Sequence, residues 1–132
     1  MTTGPSPEYV RRQLQLADEA LDDARYLLQG NRMKAAANRA YYAMFHVAMA
    51  ALAGVTPRLP KTHRGTISLF GRHYIQTGRL GIQFARDLQD ANHLRQQSDY
   101  EISAELGEEQ ARETVEKAEA FVLEVKHLVG EG

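Results

Sequence analysis

Residues 35–52 read AAANRAYYAMFHVAMAAL, and this stretch decides the fold. Apolar side chains cover most of the circumference of the helix that it forms, so other helices must surround it. Asn31 is a suitable N-cap for this helix, and Gly54 follows the end of the pattern at Ala53. We therefore expect a central, buried helix whose few polar residues are the informative ones.

Apolar stripes at the two ends of the chain predict a matched pair of long helices. Spacings of four and three residues predict a first helix over residues 7–29, with Ser6 as its N-cap and Gly30 after its end. A similar stripe predicts a last helix that begins at Glu108. Two such helices are suited to pack antiparallel around the central one.

Two shorter helices are predicted between the central and the last helix. Residues 55–60 contain two prolines and therefore form a loop. Thr62 is placed to cap a third helix that ends near residue 76, before Gly78. Apolar residues at helical spacing predict a fourth helix that begins at about residue 80 and ends near residue 98 or residue 100. The pattern contains no convincing strand, so the fold class is all-α.

Length and composition indicate one domain, a five-helix up-and-down bundle over residues 1–132 with a flexible N-terminus at residues 1–6. The chain has no cysteine, which excludes an extracellular disulfide framework. Its longest uncharged stretch, residues 40–56, is shorter than the roughly 20 apolar residues of a membrane helix. The N-terminus lacks the pattern of a signal peptide. We expect a cytoplasmic protein with no membrane association and no cofactor.

The net charge of −1 hides a segregation of charge along the chain. Between Asp23 and Asp87 there are ten arginines and lysines and no acidic residue. From Asp99 to Glu124, nine acids stand against two basic residues. The middle of the protein can therefore present a basic face to a polyanion. The alternative is that the acidic last helix packs beside its basic neighbours and evens out the field.

Polar residues at helical spacing form one face on each of two predicted helices. These faces consist of Arg39, Tyr42 and His46 on the second helix, and Asn92, Arg95 and Asp99 on the fourth. Arginine binds phosphate through a planar fork, and histidine moves protons near neutral pH, so a pocket between the two faces would suit a phosphodiester. The alternative is structural: Arg39 and Asp99 form a buried ion pair, and backbone carbonyls satisfy Tyr42 and His46.

The loop before the third helix is a second candidate for anion binding. Its basic residues are Arg58, Lys61, His63 and Arg64. Basic side chains and a helix N-terminus both attract phosphate, although a solvated loop would have the same composition. The five histidines lack the spacing of a zinc motif, so no metal site is expected.

Three motifs in this order resemble those of small, stand-alone prokaryotic HEPN-domain proteins. They are RAYYAMFH at 39–46, KTHRG at 61–65 and RQQSDY at 95–100. The resemblance extends from about residue 17 to residue 129. It implies a helical bundle that often dimerises and that is frequently paired with a minimal nucleotidyltransferase, as toxin and antitoxin.

The resemblance also implies a reaction. Active members of the wider superfamily are metal-independent RNases, in which Arg and His of an R-x4-6-H motif from two protomers line a cleft. This chain has Asp99 and Tyr100 where those nucleases have the histidine. Arg39 and His46 satisfy the spacing, but on the second helix.

Three hypotheses follow from these observations. The first is an RNA-binding or nucleotide-binding protein, whose binding residues are Arg39, Tyr42, Arg58, Lys61, His63, Arg64 and Arg95. The second is a metal-independent endoribonuclease toxin, whose catalytic candidates are Arg95, Asp99, Tyr100, Arg39 and His46. The third is a non-catalytic protein-interaction module, in which the same polar residues stabilise the bundle.

Overall fold

The computed structural model describes residues 4–100 and 106–131, and this part of the chain forms five α-helices without strands. The helices are α1 (Pro7–Gln29), α2 (Met33–Ala53), α3 (His63–Phe70), α4 (Ile82–Tyr100) and α5 (Glu108–Lys126). Single π-helical turns, Gly71–Ile75 and His127–Glu131, extend α3 and α5. The predicted all-α, five-helix fold is confirmed. Residues 1–3 of the predicted flexible N-terminus lie outside the described structure.

Helix α2 is the centre of the bundle and packs against α1, α3, α4 and α5. Tyr41, Met44 and Val47 are fully buried on it, together with many of its alanines. Alanine side chains let neighbouring helices approach closely, and this explains why so alanine-rich a helix lies in the core. None of the helices in the described ranges has the length and apolarity needed to cross a bilayer.

Helices α1 and α5 run antiparallel, as their matched stripes predict. Arg25 Nε lies 2.6 Å from a Glu119 oxygen, and Lys126 Nζ lies 2.8 Å from an Asp18 oxygen. Residue numbers thus rise along α1 as they fall along α5. These ion pairs are partly exposed, so each contributes little to stability.

Two of the predicted N-caps are confirmed. Ser6 Oγ accepts a hydrogen bond from the backbone N–H of Tyr9 at 3.1 Å, and Thr62 Oγ1 accepts one from Gly65 at 2.9 Å. Each side chain satisfies an N–H group that has no partner within its helix. Thr62 therefore fixes where α3 begins, and with it the position of the adjacent His63.

The prediction that Asn31 caps α2 is wrong. The N-cap residue is Arg32, which makes no side-chain capping bond. Asn31 instead ends α1 with a left-handed φ of 60°, and the Asn31 and Arg32 N–H groups donate to carbonyls of Leu28 and Leu27. Asparagine tolerates this conformation better than most residues, so it serves as the helix stop beside Gly30.

Helix α4 begins at Ile82, two residues later than predicted. The Leu80 N–H donates to the Tyr74 carbonyl at 2.8 Å, and Gly78 has a φ of +78°. These residues therefore still belong to the turn that ends the preceding helical segment.

Candidate functional site

Two arginines and two histidines surround the half-buried ring of Tyr42. The guanidinium carbons of Arg39 and Arg95 lie 4.9 and 6.0 Å from the ring centroid. The imidazole centroids of His63 and His46 lie 5.7 and 6.3 Å from it. We call these five residues the Tyr42 cluster. Its side chains come from three helices, namely α2, α4 and the first position of α3.

Three neighbouring side chains hold Arg95 in place. Its side chain is only 11% exposed, and its guanidinium carbon lies 5.0 Å from the centroid of the Tyr41 ring. Asn92 Oδ1 accepts from Nη2 at 2.8 Å, and an Asp99 oxygen lies 3.3 Å from Nη1. This network fixes the plane and direction of the guanidinium, but it also engages most of its donors.

Arg39 is more available to a ligand than Arg95. It is half-buried, and Asn38 Oδ1 accepts hydrogen bonds from Nη2 and Nε at 3.1 and 3.2 Å. Guanidinium has five N–H donors, and these bonds engage two of them, which leaves three. Within residues 4–100 and 106–131, no carboxylate forms an ion pair with Arg39.

The buried Arg39–Asp99 ion pair, which the structural alternative required, does not form. Asp99 pairs instead with Arg95, one turn before it on α4, and its side chain is 42% exposed. The i, i+4 spacing on one helix puts the two groups in reach without any contact to α2. Arg39 therefore does not fix the register of the bundle through this carboxylate.

A groove of about 330 Å³ opens to the surface beside Arg39. It is lined by Leu27, Lys34, Ala35, Asn38, Arg39, Ser98 and Asp99. Its positive groups are Lys34 and Arg39, and its one carboxylate is already paired with Arg95. The side chains of α2 and α4 thus meet at a groove that an anion can enter.

His63, in the KTHRG motif, contacts residues of the RAYYAMFH motif on α2. Its Nδ1 lies 2.7 Å from the Tyr41 hydroxyl, and its ring centroid lies 4.7 Å from that of Phe45. Burial and the nearby Arg95 charge both lower the pKa of His63. Burial raises the pKa of Tyr41 well above its usual range, so its hydroxyl keeps its proton and can donate to Nδ1.

His46 lies on the α1 side of Tyr42. Its Nδ1 is 2.8 Å from Oε1 of Gln13, so a side chain of α1 satisfies it and not the backbone carbonyl that the structural alternative invoked. Burial lowers the pKa of His46, and the charges of Arg39 and Arg12 lower it further. Sequence reasoning missed Gln13 and Arg12, because no motif or spacing relates α1 to this face of α2.

The other basic residues that were predicted to bind the ligand lie outside the Tyr42 cluster. Arg58, Lys61 and Arg64 are exposed. In the described part of the chain, no hydrogen bond, ion pair or cation–π contact joins any of the three to the cluster. The side chain of Tyr100 lies outside the described structure.

The carboxylates of α5 neutralise only part of the positive charge of residues 25–86. Arg25, the first cation of the basic interval, pairs with Glu119. Glu108, Glu109 and Glu116 remain exposed on α5. In the described residues, no carboxylate of α5 forms an ion pair with Arg39 or Arg95.

Comparisons with known proteins agree with this architecture. The model of the HEPN domain matches residues 10–128. A "UPF0332 protein" of Thermotoga maritima is 33% identical over 92% of this chain and 89% of its own length. A protein of Methanocaldococcus jannaschii named "Putative toxin" is 33% identical over 94% of this chain and 91% of its own. A "UPF0332 protein" of Archaeoglobus fulgidus is 36% identical over 86% and 89%. The match of the domain model, which covers nearly the whole chain, establishes that this protein belongs to the HEPN family.

Proposed function

We propose that this HEPN protein binds RNA or a nucleotide at the Tyr42 cluster. The observation that carries the proposal is the position of Arg39, which lies over Tyr42 beside an open groove with no carboxylate partner in the described residues. Phosphate oxygens can accept hydrogen bonds from the three N–H groups of Arg39 that Asn38 does not engage. Arg95 adds a second positive charge in a fixed position. The ring of Tyr42 lies beside both guanidiniums and holds them at one site.

The proposal is tested by the binding of a fluorescein-labelled, single-stranded RNA, followed by anisotropy at several salt concentrations. We expect affinity to fall steeply with salt, because phosphate contacts release counterions. Arg39→Gln should weaken binding and reduce the salt dependence. Arg112→Gln, on α5, makes the same change in net charge and is the matched control, with binding close to that of the unmodified protein. Equal binding by all three proteins would contradict the proposal.

We further propose that the protein is the toxin-like half of a pair whose antitoxin is a minimal nucleotidyltransferase, and that it acts as a homodimer. Support comes from the family and from relatives whose names include the word toxin. Expression in a heterologous bacterial host should arrest growth, and co-expression of a genomically adjacent nucleotidyltransferase should relieve the arrest. Arrest that is unchanged by such a partner would contradict the pairing. A monomer in sedimentation equilibrium would contradict the dimer.

A metal-independent endoribonuclease is a second candidate, and the position of His63 favours it. This imidazole contacts both Tyr41 and Tyr42, and the charge of Arg95 acts on it. A phosphate held by Arg39 and Arg95 would therefore lie near a histidine that can transfer a proton. In EDTA, we expect Arg95→Ala and His63→Ala to abolish cleavage of single-stranded RNA, whereas His127→Ala, at an exposed position after the end of α5, retains it. Cleavage that survives both of the first two changes would rule out this site.

A further inference from the structure

A second, larger groove lies between α3 and α4, outside the Tyr42 ring. Its volume is about 870 Å³. The polar and charged side chains that line it include His63, Arg64, Arg86, Gln89, Asn92 and His93. None of its lining residues is acidic, although the net charge of the chain is −1. We call it the α3–α4 groove.

The positive charges of this groove are not neutralised by the protein. Arg64 and Arg86 are both exposed, and neither forms an ion pair with a carboxylate in the described ranges. Amide side chains such as Gln89 and Asn92 lie among them and can donate hydrogen bonds to phosphate or to bases. An open groove that has cations and amides and lacks carboxylates is suited to a chain of negative charges.

The α3–α4 groove adjoins the Tyr42 cluster at His63, which belongs to both. His63 lines the groove and also packs edge to face on Tyr42, with 5.7 Å between the ring centroids. Asn92 lines the groove too, and its Oδ1 accepts a hydrogen bond from Arg95 at 2.8 Å. A ligand bound at the cluster can therefore extend past these two side chains into the groove.

The groove is long enough for several nucleotides. Its lining on α4 runs from residue 82 to residue 96, which at a rise of about 1.5 Å per residue is about 21 Å. The charges of one strand of duplex DNA are about 3.4 Å apart, and those of an extended single strand are farther apart, so this length accommodates up to about six nucleotides. At the far end, Ile82 is 61% exposed and offers an apolar surface for a base or sugar.

We propose that the α3–α4 groove is the backbone track of a single-stranded polynucleotide that is held at the Tyr42 cluster. The ligand is then a single-stranded RNA of about six nucleotides or more, and a free nucleotide would fill only the end of the site. Arg64 and Arg86 contact its phosphates. The inference rests on the proposed function, because the cluster anchors the strand.

The test is the dependence of affinity on length, measured by anisotropy with labelled oligouridylates of two, four, eight and twelve nucleotides. Affinity should rise with length up to about six nucleotides and then level off. Arg64→Gln and Arg86→Gln should each weaken the eight-mer several-fold, lower its salt slope by about 0.7, and leave the dinucleotide unchanged. Arg112→Gln is again the matched control and should bind every length as the unmodified protein does.

The outcomes separate the track from the anchor. Affinity that does not depend on length, together with weakened binding in Arg39→Gln, would overturn the track and leave the cluster as the binding site. Failure of every oligonucleotide to bind would overturn the proposed function and the track with it.

Polyglutamate of equal charge is the competitor that identifies the ligand class. Displacement of the eight-mer by polyglutamate at the same concentration as by unlabelled RNA would overturn the assignment to a polynucleotide.

Discussion

Arg95 lies over the ring of Tyr41, with its guanidinium carbon 5.0 Å from the ring centroid. The two residues belong to α4 and α2, and Tyr41 is fully buried. This contact positions a charged group of α4 at the edge of the core, because the ring attracts the cation and excludes water from one side of it. The fixed position of Arg95 is what allows it to act together with Arg39 at the Tyr42 cluster.

Replacing Arg95 should destabilise the protein. Arg95→Ala removes the contact with Tyr41 and the hydrogen bonds to Asn92, and we expect a loss of about 2 kcal/mol in the free energy of unfolding. Arg95→Lys keeps the charge but lacks the planar fork, so it should recover only part of this loss. Urea denaturation of the three proteins measures the effect. Stability of Arg95→Ala within experimental error of the unmodified protein would mean that the contact with Tyr41 contributes nothing.

Replacing Arg39 should affect binding and leave stability almost unchanged. Its only hydrogen-bond partner in the described residues is its neighbour Asn38, and its guanidinium carbon lies 4.9 Å from the centroid of the Tyr42 ring. Since a cation–π contact near the surface contributes only about 0.5 kcal/mol, Arg39→Ala should lower the free energy of unfolding by about that amount. The protein-interaction hypothesis expects a drop of several degrees in the melting temperature instead. Thermal denaturation therefore distinguishes the two accounts, and a large drop would favour a structural Arg39.

The hydroxyls of two adjacent tyrosines should differ in their contribution to stability. The Tyr41 hydroxyl bonds His63 Nδ1 at 2.7 Å, so Tyr41→Phe should cost about 1 kcal/mol. Tyr42→Phe is the matched control, because the Tyr42 hydroxyl makes no hydrogen bond within the described residues. Urea denaturation near pH 7.5 gives both values. An equal effect of the two changes would contradict the Tyr41–His63 hydrogen bond.

Stability should fall as the solution becomes mildly acidic. Burial and neighbouring arginines hold the pKa of His46 and of His63 below the usual value near 6.5. The unfolded chain therefore binds more protons than the folded one just below this pH, so the stabilisation is complete above pH 6.5 and is lost as the pH falls through the two folded-state pKa values. Urea denaturation at pH 7.5, 6.5 and 5.5 should show this decline. The free energy of unfolding of a His46→Gln, His63→Gln double variant should depend less on pH. If it falls as steeply as that of the unmodified protein, groups other than these two histidines cause the decline.

Hydrophobic periodicity was sufficient to predict the fold. The apolar circumference of residues 35–52 identified the buried helix, and the stripes of α1 and α5 identified its long neighbours. The prediction of the N-cap of α2 was wrong because Asn is favoured both as an N-cap and as a left-handed residue at the end of a helix. Which of the two roles Asn31 takes depends on the tight turn that joins α1 to α2, and composition does not specify that turn.

The site was only partly predictable. Spacing placed Arg39, Tyr42 and His46 on one face of α2, and Arg39 and His46 do lie beside the ring of Tyr42. Spacing within one helix does not specify which neighbour covers each part of a face. The packing of α1 gives His46 a partner in Gln13, and the start of α3 brings His63 to Tyr41 from 22 residues away in sequence.

The most direct test of the convergence of Arg39 and Arg95 on one anion is an NMR titration of their Nε–H signals with a single-stranded RNA octamer. Both signals should shift together and saturate at the same RNA concentration, because the two guanidiniums flank the same tyrosine ring. The Nε–H signal of Arg112, on α5, is the internal control and should stay in place. Binding that leaves the signals of Arg39 and Arg95 unmoved, or that shifts only one of them, would contradict a shared anion site.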